Sequence, residues 1–252
     1  MYNKLKSLYR KIIPNKVHYR LEPLLRKIIY YIFYKGKNQY CPICESSLKK
    51  FIPIHFKESS NQICPKCGSL SRTRLLYFLI EKKHEDKKLK ILDFSPHRSI
   101  LEFCNEKYEN YISSDYEDQF YATKNYNITN IPEKENSFDL VICFHILEHI
   151  PKDEKAIKEL YRILKPNGTL LVQVPLKQGK TYEDFSICKP EDRLIAFGQE
   201  DHVRIYGKED LKTLIEKQGF KVNLTNYSKN FKETEKKYYG ILDEELIYIC
   251  LK

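Results

Sequence analysis

The spacing of apolar positions changes period along this chain. Residues 138–143, FDLVIC, form a short and almost unbroken apolar run, as expected of a strand buried in a parallel sheet. Beyond Pro151 and Asp153 the apolar residues fall three and four apart, at Ala156, Ile157, Leu160, Ile163 and Leu164. That spacing predicts a helix, opened by the proline and aspartate and closed by Pro166-Asn167-Gly168. Thr169–Val174 then predicts a second strand. Strand, helix and strand in this order form one βαβ unit.

The same reading extends outward. Lys90–Phe94 and Tyr111–Ser114 predict two strands, and Tyr126–Asn130 a short third. Ser99-Ile100-Leu101-Glu102 has the form of a capping box that opens a helix after the first strand. Leu211, Leu214 and Ile215 predict a late helix ended by Gly219. Phe220–Thr225 and Glu245–Leu251 predict a closing antiparallel hairpin. Near the N-terminus, Leu21, Leu24, Leu25, Ile28 and Ile32 recur at helical spacing, with Arg20 and Lys27 on another face and Pro23 placed to start the helix.

Charge divides the chain further. Residues 1–38 hold ten Lys/Arg and one Glu, so almost all of the net +10 lies there and the remainder is close to neutral. The lead helix therefore has two readings: a helix docked on the body or another subunit, or one lying on an anionic membrane surface with Tyr30, Tyr31, Phe33 and Tyr34 at the interface. No run of 18 apolar residues occurs, and no secretory leader is recognisable. The organisation expected is a basic amphipathic segment (1–38), a cysteine module (39–72) and an α/β domain (73–252).

The cysteine module is the strongest local motif. Cys41-Pro42-Ile43-Cys44 and Cys64-Pro65-Lys66-Cys67-Gly68 are two knuckles, each able to turn two thiolates toward one tetrahedral ion. Four thiolates close the site, so the expected Zn²⁺ is structural. Phe51–Ile54 reads as a ribbon strand, His55 as a surface residue, and Ser71–Arg74 as the entry to a helix with solvated arginines. The other four cysteines fall singly, which favours a reducing, cytoplasmic setting.

Phe138-Asp139, Leu147-Glu148-His149 and Leu164-Lys165-Pro166-Asn167-Gly168 closely resemble the fourth-to-fifth-strand region of class I S-adenosylmethionine-dependent methyltransferases. With the cysteine knuckles and the Gly198–Gly207 segment, residues 39–252 resemble bacterial type-11 methyltransferases that carry a zinc ribbon. The resemblance implies a Rossmann-like, seven-stranded methyltransferase sheet and S-adenosylmethionine as cofactor. It implies Asp93 at the cofactor's amino group and the Phe94–Arg98 loop, with Ser95, at its methionine end, although the family's glycines are missing there. Asp115, about 20 residues past the first turn, would accept the ribose hydroxyls. Asn127 and Ile128 would meet the adenine, and Phe144 and His145 would close the site.

The Gly198–Gly207 segment would border the acceptor. His202 there can act as a general base or hold its loop, and His149 is placed beside it as a second catalytic candidate. His145, Glu148, His149 and His202 are also similar to the metal motif of small-RNA 2′-O-methyltransferases, with His at 145 where that family has Glu. The expected function is methyl transfer to a small hydroxyl- or amine-bearing acceptor, a glycan precursor being favoured. The rivals are an RNA methyltransferase that grips RNA through the ribbon, and a non-catalytic ribbon and Rossmann interaction protein. Nucleic acid is the less favoured partner, because the body is neutral.

Overall fold

The computed structural model describes residues 15–55, 60–117 and 121–252. The first 14 residues of the basic lead, and the side chains of Arg20 and His55, lie outside what is described. The chain forms two compact units: residues up to 80 together with 228–243, and residues 81–227 together with 244–252. The division differs from the boundary read at 72/73, because a C-terminal segment belongs with the cysteine module.

In the first unit, helix α1 (Asn15–Ile29) runs through Pro23 and continues as a π-helical stretch, Tyr30–Tyr34. The helix does not start at the proline as expected; it opens at Asn15 and runs through Pro23, giving up the one backbone donor that Pro lacks. Strands β1 (Lys35–Cys41) and β2 (Ser46–Leu48) pair antiparallel, as do β3 (Ile52–His55) and β4 (Ser60–Ile63). Helix α2 (Ser71–Lys83) follows. Tyr30 joins the small core of Cys41, Leu48, Phe51 and Cys64, and its hydroxyl donates to the Ser47 carbonyl at 3.0 Å.

The second unit is built on a six-stranded sheet. Its strands are β5 (Lys90–Phe94), β6 (Asn110–Ser114), β7 (Phe138–Phe144), β8 (Leu164–Gln173), β12 (Lys221–Asn226) and β13 (Leu246–Leu251), in the order β12-β13-β8-β7-β5-β6. β6, β5, β7 and β8 run parallel, while β13 is antiparallel to both β8 and β12. Helix α3 (Arg98–Lys107) follows β5, and α4 (Asp153–Ile163) joins β7 to β8. Ala156, Ile157, Leu160 and Ile163 of α4 are wholly buried, as their spacing predicts. Leu164 leaves the helix and pairs with Phe138. A small sheet of β9 (Leu176–Lys177), β10 (Tyr182–Glu183) and β11 (Arg204–Gly207) precedes α6 (Lys208–Glu216), with α5 (Pro190–Phe197) between β10 and β11.

Two expectations are corrected. The seventh strand, over Tyr126–Asn130, does not form; among the described residues an isolated bridge between Ser114 and Lys124 takes its place. Side-chain hydroxyls satisfy the backbone instead. Ser114 Oγ accepts from Tyr126 N at 2.9 Å, and Thr123 Oγ1 accepts from Ser113 N at 3.2 Å. Such local bonds compete directly with a ladder. Secondly, Ser99 does not cap α3. His97 does, its Nδ1 accepting from Ser99 N at 3.2 Å.

The hairpin of β12 and β13 is present but interrupted by residues 227–245, which carry helix α7 (Glu233–Tyr239). This helix packs within the first unit: Gln39 Nε2 donates to the Lys237 carbonyl at 2.7 Å, and Tyr238 stacks on Tyr40 with centroids 6.1 Å apart. Gly240, which ends α7 at φ +63°, has its Cα against the Phe51 ring, where a Cβ would lie 2.5 Å from a ring carbon.

Arg74 was expected to be solvated. It is instead wholly buried, stacks 4.1 Å from the centroid of Phe51, and donates to the carbonyls of Ser69 (2.6 Å), Gln62 (3.0 Å) and Gly240.

Candidate active site

The end of β5 carries the departure seen in the sequence. Ser95 takes the left-handed backbone conformation, φ +48°, which an L side chain adopts only when its surroundings hold it there. Two bonds do so. Ser95 N donates to the Ser114 carbonyl at 2.7 Å, and Ser95 Oγ donates to Asp115 Oδ1 at 2.6 Å. The loop thus reaches without glycine the turn that glycine would give freely, and it ties the first strand end to the buried Asp115.

A cavity of about 290 Å³ opens at the C-terminal ends of these parallel strands. Phe94, Ser95, Tyr126, Ile128, Ile146 and Ile150 wall it, and Asn127 reaches it from the segment after the missing strand. Asn127 Oδ1 accepts from the backbone and hydroxyl of Thr129, at 2.9 and 2.8 Å, which holds that segment in a turn. Ligand sites in open α/β sheets lie at this end of the strands. Of the residues expected at the cofactor, Ser95, Asn127 and Ile128 meet in one wall, and Asp115 is bonded to Ser95.

Asp93 and His145 are not part of that wall. Asp93 is buried in the sheet and accepts from Tyr111 Oη at 3.0 Å. Burial pushes its carboxyl up to about 8, and the tyrosine bond only partly opposes this. His145, at φ +55°, turns the chain out of β7, with Nδ1 3.2 Å from Glu148 Oε1.

The residues after β7 form a polar cluster beside these walls. Leu147–His149 make one 3-10 turn, in which Glu148 is wholly buried. His202 is only 2% exposed, and its ring lies 4.7 Å from that of His149, edge to face. His202 Nδ1 faces the Phe197 carbonyl at 3.3 Å, and His149 Nδ1 lies 3.2 Å from Asp201 Oδ2. Burial holds His202 below the ordinary imidazole value. Burial, the largest single influence, would raise Glu148, but the bond and charge of the His145 ring, a backbone bond and the nearby His149 together hold the carboxyl below the usual carboxylate value. The two catalytic candidates are therefore together, with the carboxylate of Glu148, which the sequence named only in the metal motif, within 4.8 Å of both.

Arg204 holds this turn in place. It is wholly buried, pairs with Glu183 at 3.0 Å and Asp153 at 3.4 Å, and donates to the carbonyls of Leu147, Ile150 and Pro151. Tyr206 Oη donates to Asp153 Oδ2 at 2.6 Å, and Val203 N donates to the Glu148 carbonyl at 3.0 Å. This clamping role was not read from the sequence. Its signal was an arginine placed between Val203 and Ile205 in an otherwise apolar run.

In the first unit the four cysteines converge. Cys41 and Cys67 sulfurs are 3.7 Å apart, as are those of Cys44 and Cys64, and all four lie within 4.8 Å of one another. A tetrahedral ion with Zn–S bonds of ~2.3 Å has S···S edges of ~3.8 Å. The donor set and spacing fit zinc. Gly68 gives the second knuckle its positive φ, +79°.

A family model described as a methyltransferase domain matches residues 69–225. A ubiquinone/menaquinone biosynthesis C-methyltransferase of Haemophilus ducreyi is 32% identical over 117 residues, covering 40% of this chain and 45% of that protein. An uncharacterised protein of Methanocaldococcus jannaschii is 43% identical over 65 residues, 24% of this chain and 28% of its own length. The chain thus spans less than half the length of these curated relatives. A solved S-adenosylmethionine-dependent methyltransferase from Archaeoglobus fulgidus shares the fold, with a TM-score of 0.51 at 15% identity, over 72% of this chain and 92% of that one.

Proposed function

This chain belongs to the methyltransferase domain family, and from that premise we propose that it methylates a small hydroxyl- or amine-bearing acceptor, a glycan precursor foremost. Membership of that family supports an S-adenosylmethionine-dependent enzyme over a purely non-catalytic role. The residues of the second unit fit the cofactor. The cavity wall is apolar enough for a purine, and Asp115 offers a buried carboxylate with one oxygen on Ser95. When bound, S-adenosylmethionine supplies an electrophilic methyl group. Ser95 and Asp115 would hold the cofactor end of the site, and Asn127 and Ile128 the base. Arg204 would fix the 147–151 turn at the acceptor side. Methyl transfer needs in-line positioning more than a strong base. The observation that carries the acceptor class is the cluster of Glu148, His149 and His202, buried at its first and last members, because proton-accepting groups favour an O–H or N–H nucleophile over a carbon one.

The test uses S-adenosylmethionine labelled in its methyl group, supplied to the purified protein with separate pools of sugar nucleotides, quinones and RNA. Label in the sugar-nucleotide or another small polar pool supports the reading. Label in RNA or in a quinone would overturn it. In the first unit, the four cysteines would hold one structural Zn²⁺.

The lead helix favours a surface role. Arg26 and Tyr30 are buried, so that face of α1 is the covered one. The apolar stripe faces outward, with Leu24, Ile28 and Ile32 at 57%, 47% and 62% exposure. An exposed apolar stripe beside lysines and arginines suits an anionic lipid surface. Among the described residues no helix is long and apolar enough to cross a membrane. Cosedimentation with vesicles of anionic lipid should capture the protein, and Leu24→Asp with Ile28→Asp should abolish capture. Equal recovery with and without vesicles would refute the surface role.

A further inference from the structure

In the cluster beside the cavity, two buried atoms present electron pairs that meet no donor among the described residues. Glu148 is wholly buried; its Oε1 meets the His145 ring, while Oε2 has no hydrogen-bond partner among the described residues. His202 is also buried, and its Nδ1 faces the Phe197 carbonyl, which can only accept. The proton of the neutral ring therefore sits on Nδ1, and Nε2 presents a lone pair. That Nε2 likewise has no partner among the described residues. His149 has its Nδ1 toward Asp201 Oδ2, so a carboxylate backs this ring in the same way. One ligand atom from each of Glu148, His149 and His202 lies within 4.8 Å of the others.

Two buried acceptors at this separation repel unless something positive lies between them. An imidazole whose far nitrogen donates to a carbonyl or carboxylate is the usual form of a metal-ligating histidine. We propose that Glu148, His149 and His202 hold a divalent first-row transition-metal ion, distinct from the ion of the cysteine knuckles. Two imidazoles and one carboxylate suit Mn²⁺ to Zn²⁺, whereas four thiolates suit zinc and select against manganese. Three protein ligands leave positions open for water or for an acceptor oxygen.

Glu148 and His149 lie between Ile146 and Ile150, both of which line the cavity. An acceptor hydroxyl bound to the ion would lose its proton more readily. This last role rests on the methyltransferase reading; binding of the ion does not.

Arg204 and Val203 contribute by positioning. Their bonds to the Leu147, Ile150 and Pro151 carbonyls, and to that of Glu148, bring the turn bearing two ligands against the strand that follows the third.

The probe is Mn²⁺ alone, added to the whole chain under conditions that retain any zinc on the cysteine knuckles. Free Mn²⁺ is counted by the six-line electron paramagnetic resonance signal that bound Mn²⁺ loses. Wild type should take up one Mn²⁺ per chain, in competition with added Zn²⁺. His149→Ala should weaken binding roughly tenfold or more, and Asp201→Asn, at a side chain 64% exposed, should weaken it several-fold by releasing the His149 ring. Calorimetry with S-adenosylmethionine on the same samples checks that each variant is folded. If Mn²⁺ is not bound and elemental analysis finds no zinc beyond the first equivalent, the site does not exist. Equal Mn²⁺ binding by wild type and both variants would place the ion elsewhere and overturn the assignment. Loss of cofactor binding with Mn²⁺ binding intact would instead count against the cofactor reading alone.

Discussion

Replacing Arg74 with methionine tests how the first unit is held together. The guanidinium is wholly buried and donates to three backbone carbonyls, those of Ser69, Gln62 and Gly240. These acceptors come from the second knuckle, from β4 and from the segment after α7. Methionine keeps the volume and the contact with Phe51 but supplies no donor. A hydrogen bond from a charged group contributes ~1.5–3 kcal/mol, and a buried carbonyl left without a partner costs ~1–3 kcal/mol. Removing the buried charge offsets part of this, because its desolvation cost also vanishes. The net loss should be ~3–5 kcal/mol for the first unit.

Urea unfolding followed by circular dichroism, with zinc release followed by a chromophoric chelator, measures both consequences. Arg74→Met should lower the unfolding midpoint and speed zinc release, because Ser69 also lies 3.4 Å from Cys41 Sγ and 3.2 Å from Cys67 Sγ. Arg74→Lys should recover only part of the loss, since one ammonium lacks the planar fork that spans three acceptors. Stability within 1 kcal/mol of wild type, with zinc release unchanged, would show that these carbonyls find other partners and would refute the argument.

Three further outcomes are expected. Cys64→Ser should bring zinc from one equivalent per chain to near none and lower the unfolding temperature of the first unit, as read by elemental analysis and calorimetry. Asp115→Ala should weaken S-adenosylmethionine binding by ~1.5–3 kcal/mol in calorimetry, and an unchanged dissociation constant would move the ribose contact elsewhere. The raised Asp93 makes the native state prefer the protonated carboxyl, so its contribution is fully present below the unfolded value of 3.8 and is lost as pH rises toward about 8. Between pH 5 and 7, wild type without cofactor should therefore lose up to ~2.7 kcal/mol relative to Asp93→Asn; parallel stability curves for the two proteins would contradict this.

What the sequence determined by itself is local in origin. Periodicity marks β7, α4 and β8 because burial of one face forces apolar residues to recur at the period of the element. The knuckles are legible because thiolates two residues apart reach one ion without help from the rest of the chain. Ser95, Asn127 and Ile128 could be named because the resemblance orders residues along the strands, and the cavity gathers those three. The third strand was misread because Tyr126–Asn130 has strand composition, but the hydroxyls of Ser114 and Thr123 claim backbone groups a ladder would need.

Tertiary structure decided what depends on distant segments meeting. Arg74 has the look of a solvated charge until residues 228–243, from between the last two strands, join the first unit and supply the Gly240 carbonyl. His202 is a lone histidine in a loop until Val203 N bonds to the Glu148 carbonyl and Arg204 grips the turn that carries His149. A buried charge is tolerated only where enough acceptors converge on it. No local pattern encodes that convergence, because its acceptors are backbone carbonyls, which every residue carries alike.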